Sequence, residues 1–443
     1  MDWSVVRQLR ADVSEVLTQQ LPMTRLSREQ HYDLVLGYVQ DAMRDLGATS
    51  AITGKTPLTA ANRGPYIQAV MDALFGAGRF QRLLEEPLVE NIEVEGYDST
   101  AITYANGSVR YLEQPLFTSD EELVEELTHL ARTAISGEKD FSPASPSLRM
   151  RLPDGSRLAA DAWVCHRPSA TFRVHRYVDT DLDEIRALGT VDQALAQFLA
   201  AAERAGRSIV VAGDPASGKT TLSRAILNCL PPDVRIATIE TMYELGLHDM
   251  PHRHKRVWAA EAQPGGEPGP DGRPRGRITL SDLVDRALQK NVQRIVVGEI
   301  TGVHEVVAMI EAMQAGKGCL STIHADNATE TLDRLATLIM GARANTSYEY
   351  AARLVAQNVD VIVHLALRQD PIRKVNERYV DEVVTLAPSG EPGVPAEITH
   401  VFAPGPDGRA RPTGEIPPWA DQLTGHGYDL NWLTRRVDTW GQQ

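Results

Sequence analysis

Hydrophobic positions recur at helical spacing at the start of the chain. Val6, Leu9, Val13 and Val16 fall on one face, as residues three and four apart do on an α-helix. Ser27-Arg28-Glu29-Gln30 has the form of a capping box, in which two polar side chains satisfy backbone N–H groups at a helix start. The run it opens sets Leu34, Val35, Tyr38, Ala42 and Leu46 on one side and stops at Gly47. A Thr/Ala/Gly-rich stretch between Gly47 and Gly64 reads as a loop, and a third helix follows from Pro65 to Phe75. Residues 1–75 are therefore a helical N-terminal segment, suited to packing or docking.

From Gly76 the period changes. Val89 to Val94, Ala101 to Tyr104 and Ser108 to Tyr111 alternate as short strands, with Ala105-Asn106-Gly107 as a hairpin turn. A helix is expected over Asp120 to Thr133. More strands follow, at Arg149 to Leu152, at Arg157-Leu158 after a Pro153-Asp154-Gly155-Ser156 turn, and at Thr171 to Val174. This predicts an α+β domain over 76–178. An acidic linker, Asp179 to Asp183, leads into an alanine-rich helix from Asp192 to Ala205, so that 179–206 reads as linker and helix. Strand and helix then alternate over 207–443, as a parallel-sheet α/β domain requires. Residues 264–277 are too rich in Pro and Gly for anything but an exposed loop. No internal repeat is found.

Composition narrows the classes. The chain has 443 residues, 42% hydrophobic and 23% charged, which suits two or three globular domains. No apolar run reaches the length a membrane-spanning helix needs, and Met1-Asp2-Trp3-Ser4 lacks the basic and apolar regions of a signal peptide. The three cysteines are scattered without metal-ligand or disulfide spacing. Together these features predict a cytoplasmic protein. A net charge of −14 argues against direct nucleic-acid binding, which favours a basic face.

Gly213-Asp214-Pro215-Ala216-Ser217-Gly218-Lys219-Thr220 is an unbroken G-x-x-x-x-G-K-[ST] motif, or Walker A loop. The glycines let successive backbone N–H groups point inward at an anion. Lys219 brings positive charge to the β- and γ-phosphates of ATP, and the Thr220 hydroxyl is suited to ligate Mg²⁺. Thr221 is expected to begin a helix whose positive end faces the same phosphates. The apolar run Ser208 to Ala212 before the motif and the helical run Leu222 to Leu230 after it complete the required strand, loop and helix.

Arg294-Ile295-Val296-Val297-Gly298-Glu299 is an apolar strand ending in an acid, the form of a Walker B segment. Glu299 could orient or activate the attacking water, or act on Mg²⁺ through water. Glu240 is a second acid at a second strand tip, and His324 follows the strand-like run Gly318 to Ile323. Ligands collect along this edge of open α/β sheets.

These residues resemble the type II/type IV secretion ATPase family, and most closely its tight-adherence pilus branch, the CpaF-like ATPases. The resemblance runs from about Gly76 to Leu430. It includes Arg151-Leu152-Pro153-Asp154-Gly155-Ser156-Arg157, both Walker segments, Ser321-Thr322-Ile323-His324-Ala325 (the family's His box), Arg373-Lys374-Val375 with Glu377, and Thr413-Gly414-Glu415-Ile416-Pro417-Pro418. It implies an α+β, PAS-like domain ahead of a RecA-like P-loop motor domain of α/β class. It also implies a six-membered ring of copies, and catalytic roles for Glu299, Glu240 and His324. Arg151, Arg157 and Arg173, with Arg176 as a further candidate, would bring guanidinium charge to the nucleotide. The partner implied is an inner-membrane platform protein, reached at the cytoplasmic face with only peripheral membrane association.

Departures from the family pattern fall near the strand tips. Thr241 stands where a second acid is usual, Ala259 and Gln263 where arginines flank Glu261, Thr301 where an arginine follows Walker B, and Glu95-Gly96 in place of Asn-Gly. Two other readings therefore stay open. One is a nucleotide-gated scaffold with weak or no turnover, and the other is a RecA-like nucleic-acid translocase.

Overall fold

The computed structural model describes the chain except residues 21–27, 54–59, 134–138, 176, 178, 264, 266–273, 317, 371–374, 438 and 441–443. Ser27, Arg176, Arg373, Lys374 and most of the Pro/Gly-rich stretch thus lie outside the described residues. The chain divides into two compact units, Met1–Arg176 and Tyr177–Gln443.

The first unit begins with helices α1 (Trp3–Gln20), α2 (Arg28–Thr53) and α3 (Ala60–Phe75). Val6, Leu9 and Val13 pack on Val35, Val39 and Met43 and on Ala69, Val70 and Met71. Two sequence expectations are corrected here. Helix α2 continues through Gly47 to Thr53, and α3 starts before Pro65, at Ala60. One glycine costs a helix only about 1 kcal/mol, and Ala48 and Ala51 beyond it favour helix. An interior proline costs about 3 kcal/mol. Burying Val70 and Met71 returns about 1.5–3 kcal/mol each, so packing outweighs the local signal.

A six-stranded antiparallel sheet follows, from β1 (Val89–Glu95), β2 (Thr100–Tyr104), β3 (Val109–Tyr111), β4 (Ser147–Arg151), β5 (Arg157–Asp161) and β6 (Ser169–Arg173). Their order is β3-β2-β1-β6-β5-β4. One face is apolar: Ile92, Val94, Ile102, Leu148, Met150, Leu158 and Phe172 pack with Leu123, Leu127 and Leu130. Those leucines lie on the helix Asp120–Arg132, which Ser119 caps by accepting a hydrogen bond from the Glu122 N–H.

The second unit is a mixed sheet of nine strands flanked by helices. Its strands are β7 (Ile209–Gly213), β8 (Ile236–Glu240), β9 (Val257–Glu261), β10 (Arg294–Ile300), β11 (Cys319–Ile323), β12 (Val361–Asp370), β13 (Val375–Pro388), β14 (Ala396–Pro404) and β15 (Ala410–Pro412). The order β15-β14-β13-β12-β7-β11-β10-β8-β9 puts β7 between two parallel neighbours. Strands β7, β8 and β11 are buried along their whole length, which is why they read as continuous apolar runs rather than alternating ones. Apolar side chains from the two sheet faces enter two separate cores. The acidic stretch near Asp179 is only partly a linker, because Asp181 accepts from the N–H groups of Asp183 and Glu184 and caps a short helix, Leu182–Ala187. Among the described residues no helix is long and apolar enough to cross a membrane.

Candidate functional site

Strands β7, β8, β10 and β11 are parallel, so their C-terminal ends lie along one sheet edge. The Walker A loop leaves β7 there. Gly213 has φ +147°, and a Cβ on it would lie 2.3 Å from the Leu365 carbonyl oxygen on β12; only glycine fits. Gly218, at φ +99°, caps a helix that begins at Lys219, two residues before the Thr221 expected from sequence. A left-handed residue immediately before the helix ends the loop that early. Thr220 and Thr221 occupy its first turn, while Asp214, Pro215, Ala216 and Ser217 form the loop itself. Ala216 is also left-handed, at φ +62°, and its carbonyl accepts from Arg378 Nε at 2.9 Å.

Lys219 is buried. Its Nζ donates to the carbonyls of Gly213 at 3.0 Å and Asp214 at 2.8 Å. The same ammonium lies 3.0 Å from His324 Nδ1. An ammonium has no lone pair, so Nδ1 accepts from it, and the Gly213 carbonyl oxygen lies 3.3 Å from the same nitrogen. Nε2 of the same ring lies 2.9 Å from Glu299 Oε1 as an ion-pair contact. The three residues singled out from separate segments therefore form one line of close polar contacts, Lys219 to His324 to Glu299.

Glu299 is not quite at the end of its strand, since β10 runs on to Ile300. The β10–β11 register shifts between Val297 and Glu299, a bulge that re-aims the acid. Gly298 occupies the bulge, where a Cβ would lie 3.2 Å from Glu240 Cγ. Ser321 Oγ donates to the Val297 carbonyl at 2.6 Å and ties the bulge to the His-box strand.

Glu240 ends β8 and is buried. Its Oε1 accepts from the N–H groups of Glu244 at 2.8 Å and Leu245 at 3.0 Å, so the structure gives it a structural load that its place at a strand tip did not announce. The side chain that reaches the Walker A threonine is Glu244, whose Oε2 accepts from Thr220 Oγ1 at 3.3 Å. Burial pushes the Glu240 carboxyl up to about 7, although the two N–H groups pull it down. An ordinary glutamate ionises near 4.5, so between those values the unfolded chain loses a proton that the folded one keeps. Stability must then fall as pH rises across this window and level off above it. Glu240→Gln keeps a carbonyl acceptor and removes the buried charge. It is expected to flatten the fall in Tm between pH 5 and 8, gaining about 2–3 kcal/mol at the upper end. Calorimetric unfolding across that range checks this, and an unchanged slope would mean that Glu240 is already ionised in the folded protein at pH 5.

Arg151, Arg157 and Arg173 end up in a single row. Arg151 is the cross-strand partner of Arg157, and Arg157 that of Arg173, which sets all three side chains on one sheet face. The turn before Arg157 requires Gly155, at φ +88° with Arg151 Nη2 only 3.3 Å from where its Cβ would be. Of the departures, Ala259 lies on the edge strand β9, Gln263 bridges to Ile278, and Thr301 is exposed just after β10.

Four residues at this edge escaped the sequence reading. Arg224 follows Thr220 by one helical turn, a spacing that pointed to it. Glu244 sits in a loop without periodicity, Gly298 in a bulge, and Arg378 is 162 residues from Ala216, so their positions carried no local signal.

Known proteins resemble the chain as follows. The model of a family described as type II/IV secretion system protein matches residues 94–393. An uncharacterised protein of Methanocaldococcus jannaschii is 30% identical over 285 residues, which are 63% of this chain and 49% of that protein; the chain thus spans about half the length of that relative. A putative conjugal transfer protein of Mycobacterium tuberculosis is 30% identical over 321 residues, 70% of this chain and 86% of the relative. Among solved structures, the VirB11 ATPase from the Brucella suis type IV secretion system, in complex with sulphate, shares 24% identity. That likeness covers 72% of this chain and 96% of the other, with a TM-score of 0.37.

Proposed function

Because the chain belongs to the type II/IV secretion system protein family, we propose that it is a ring-forming, Mg²⁺-dependent ATPase of the tight-adherence pilus branch. On this reading a homo-oligomeric ring, six copies by family resemblance, works at the cytoplasmic face of the inner membrane. It drives pilus assembly or secretion through a platform protein embedded there.

The observation that carries the reading is the Lys219–His324–Glu299 line beside the Walker A loop. Lys219 and the loop N–H groups bind the β- and γ-phosphates. Glu299 holds a water for in-line attack and accepts its proton, while His324 keeps the carboxylate oriented and reports the lysine's position to it. The Arg151–Arg157–Arg173 row neutralises phosphate charge. The residues also fit Mg²⁺. Among the described residues no group of three or more His, Cys, Asp or Glu could hold a metal by itself. A hydroxyl and a carboxylate together at Thr220 and Glu244 are the hard oxygen donors that a phosphate-bound Mg²⁺ takes directly or through water. Bound there, Mg²⁺ would neutralise charge developing on the phosphates.

The departures at Thr241, Ala259, Gln263 and Thr301 favour the scaffold as the second reading. Steady-state ATP hydrolysis with Mg²⁺ over a range of protein concentrations separates the two. Turnover per chain is expected to rise with concentration as rings form. Tight ATP binding with no turnover at any concentration would select the scaffold, and turnover that appears only with nucleic acid would select the translocase.

A further inference from the structure

The chain turns sharply after β8, and two buried side chains, a carboxyl and a guanidinium, hold the turn from opposite sides. Glu240 takes both N–H groups of the Glu244–Leu245 pair on one carboxylate oxygen. Arg224 takes both carbonyls. Its Nε donates to Leu245 O at 2.9 Å and its Nη2 to Glu244 O. The same guanidinium donates through Nη1 to the carbonyl of Tyr177 at 2.9 Å. All four backbone polar groups of residues 244 and 245 are thus engaged by two side chains, and the only part of Glu244 left to vary is its side chain, which meets Thr220.

Position on the helix matters as much as contact. Arg224 lies four residues after Thr220 on Lys219–Leu227, hence on the same face one turn away. A single helix therefore carries the hydroxyl and the group that sets the acid opposite it, so the two cannot drift apart. Burying a guanidinium costs several kcal/mol unless its donors are satisfied. A rigid planar fork that meets three carbonyls recovers that cost and fixes their relative geometry, which a lysine's single ammonium does not.

We propose that Arg224 is a positioning residue of the nucleotide site: through the Glu244–Leu245 backbone it holds the Glu244 carboxylate against Thr220. The proposal rests on the ATPase reading above and adds to it a residue that acts through backbone carbonyls. It is tested with Arg224→Lys, Glu244→Gln and the double variant, each checked for an unchanged folded core by calorimetry. Arg224→Lys is chosen over Arg224→Met because its ammonium can still donate to one of the three carbonyls, whereas methionine leaves all three without a donor. Two readouts are used, kcat and KM for ATP, and amide hydrogen exchange of residues 241–247. Arg224→Lys is expected to lower kcat about tenfold with KM changed less than about threefold, and the double variant to be no slower than Glu244→Gln alone. Exchange at Glu244 and Leu245 should accelerate about tenfold or more while β7, β10 and β11 stay protected. Losses that multiply in the double variant, or exchange at Glu244 and Leu245 that does not change, would overturn the inference. Failure of the ATPase reading is seen separately, as absence of turnover in the unsubstituted protein.

Discussion

Lys219→Ala is expected to lower ATP affinity by about 10²–10³-fold and to abolish turnover. The ammonium is buried and held by two loop carbonyls and His324, so it is already positioned where phosphate oxygens must arrive. A charge-assisted hydrogen bond contributes about 1.5–3 kcal/mol, and a terminal phosphate accepts more than one, which gives that range. Alanine also removes the donor to His324 Nδ1, freeing the imidazole to turn from Glu299. Titration calorimetry with ATP measures the affinity, and thermal unfolding without nucleotide confirms that the loop still folds. Affinity retained within about threefold would remove the Walker A loop from the account of function.

Glu299→Gln should separate binding from chemistry. The amide is nearly isosteric and can keep the close contact with His324 Nε2, so the geometry of the line is kept while the proton acceptor is lost. ATP affinity is expected to stay within a few-fold of the original, while turnover falls by about 10²–10⁴, the usual contribution of a general base. Single-turnover hydrolysis with excess protein isolates the chemical step. If the rate were unchanged, the water-activating role would pass to Glu244, the other carboxylate beside Thr220. That outcome would also sharpen the interest of Arg224, since the residue positioning Glu244 would then position the catalytic base.

The Walker A loop was legible because its requirements are local. A tight anion-binding turn needs glycines at fixed offsets between a strand and a helix, and those offsets are written in eight consecutive residues. The buried parallel strands were legible for a similar reason, as β-branched runs with no polar alternation. The ends of α2 and α3 were not. Gly47 and Pro65 are local stop signals, but one glycine costs little beside helix-favouring alanines, and the burial of Val70, Met71 and their neighbours between three helices outweighs the proline.

Which strand tips converge on the loop is a matter of sheet order, and order is set by long-range pairing rather than by any single segment. Glu299 and His324 were suspected one at a time, each as an acid or histidine at a strand end; that Lys219, His324 and Glu299 form one line follows only from β11 lying between β7 and β10. The same holds for the arginines, which are separated in sequence yet brought into one row by antiparallel register. Glu240 shows the reverse case. Its place at a strand tip suggested chemistry, whereas the fold buries it and engages one of its oxygens with two backbone N–H groups. Sequence by itself determined the phosphate cradle and the class of fold, because both depend on neighbours in the chain. Tertiary structure alone decided which charged groups meet, because hydrogen bonds act over about 3 Å and the chain brings residues a hundred positions apart within that reach.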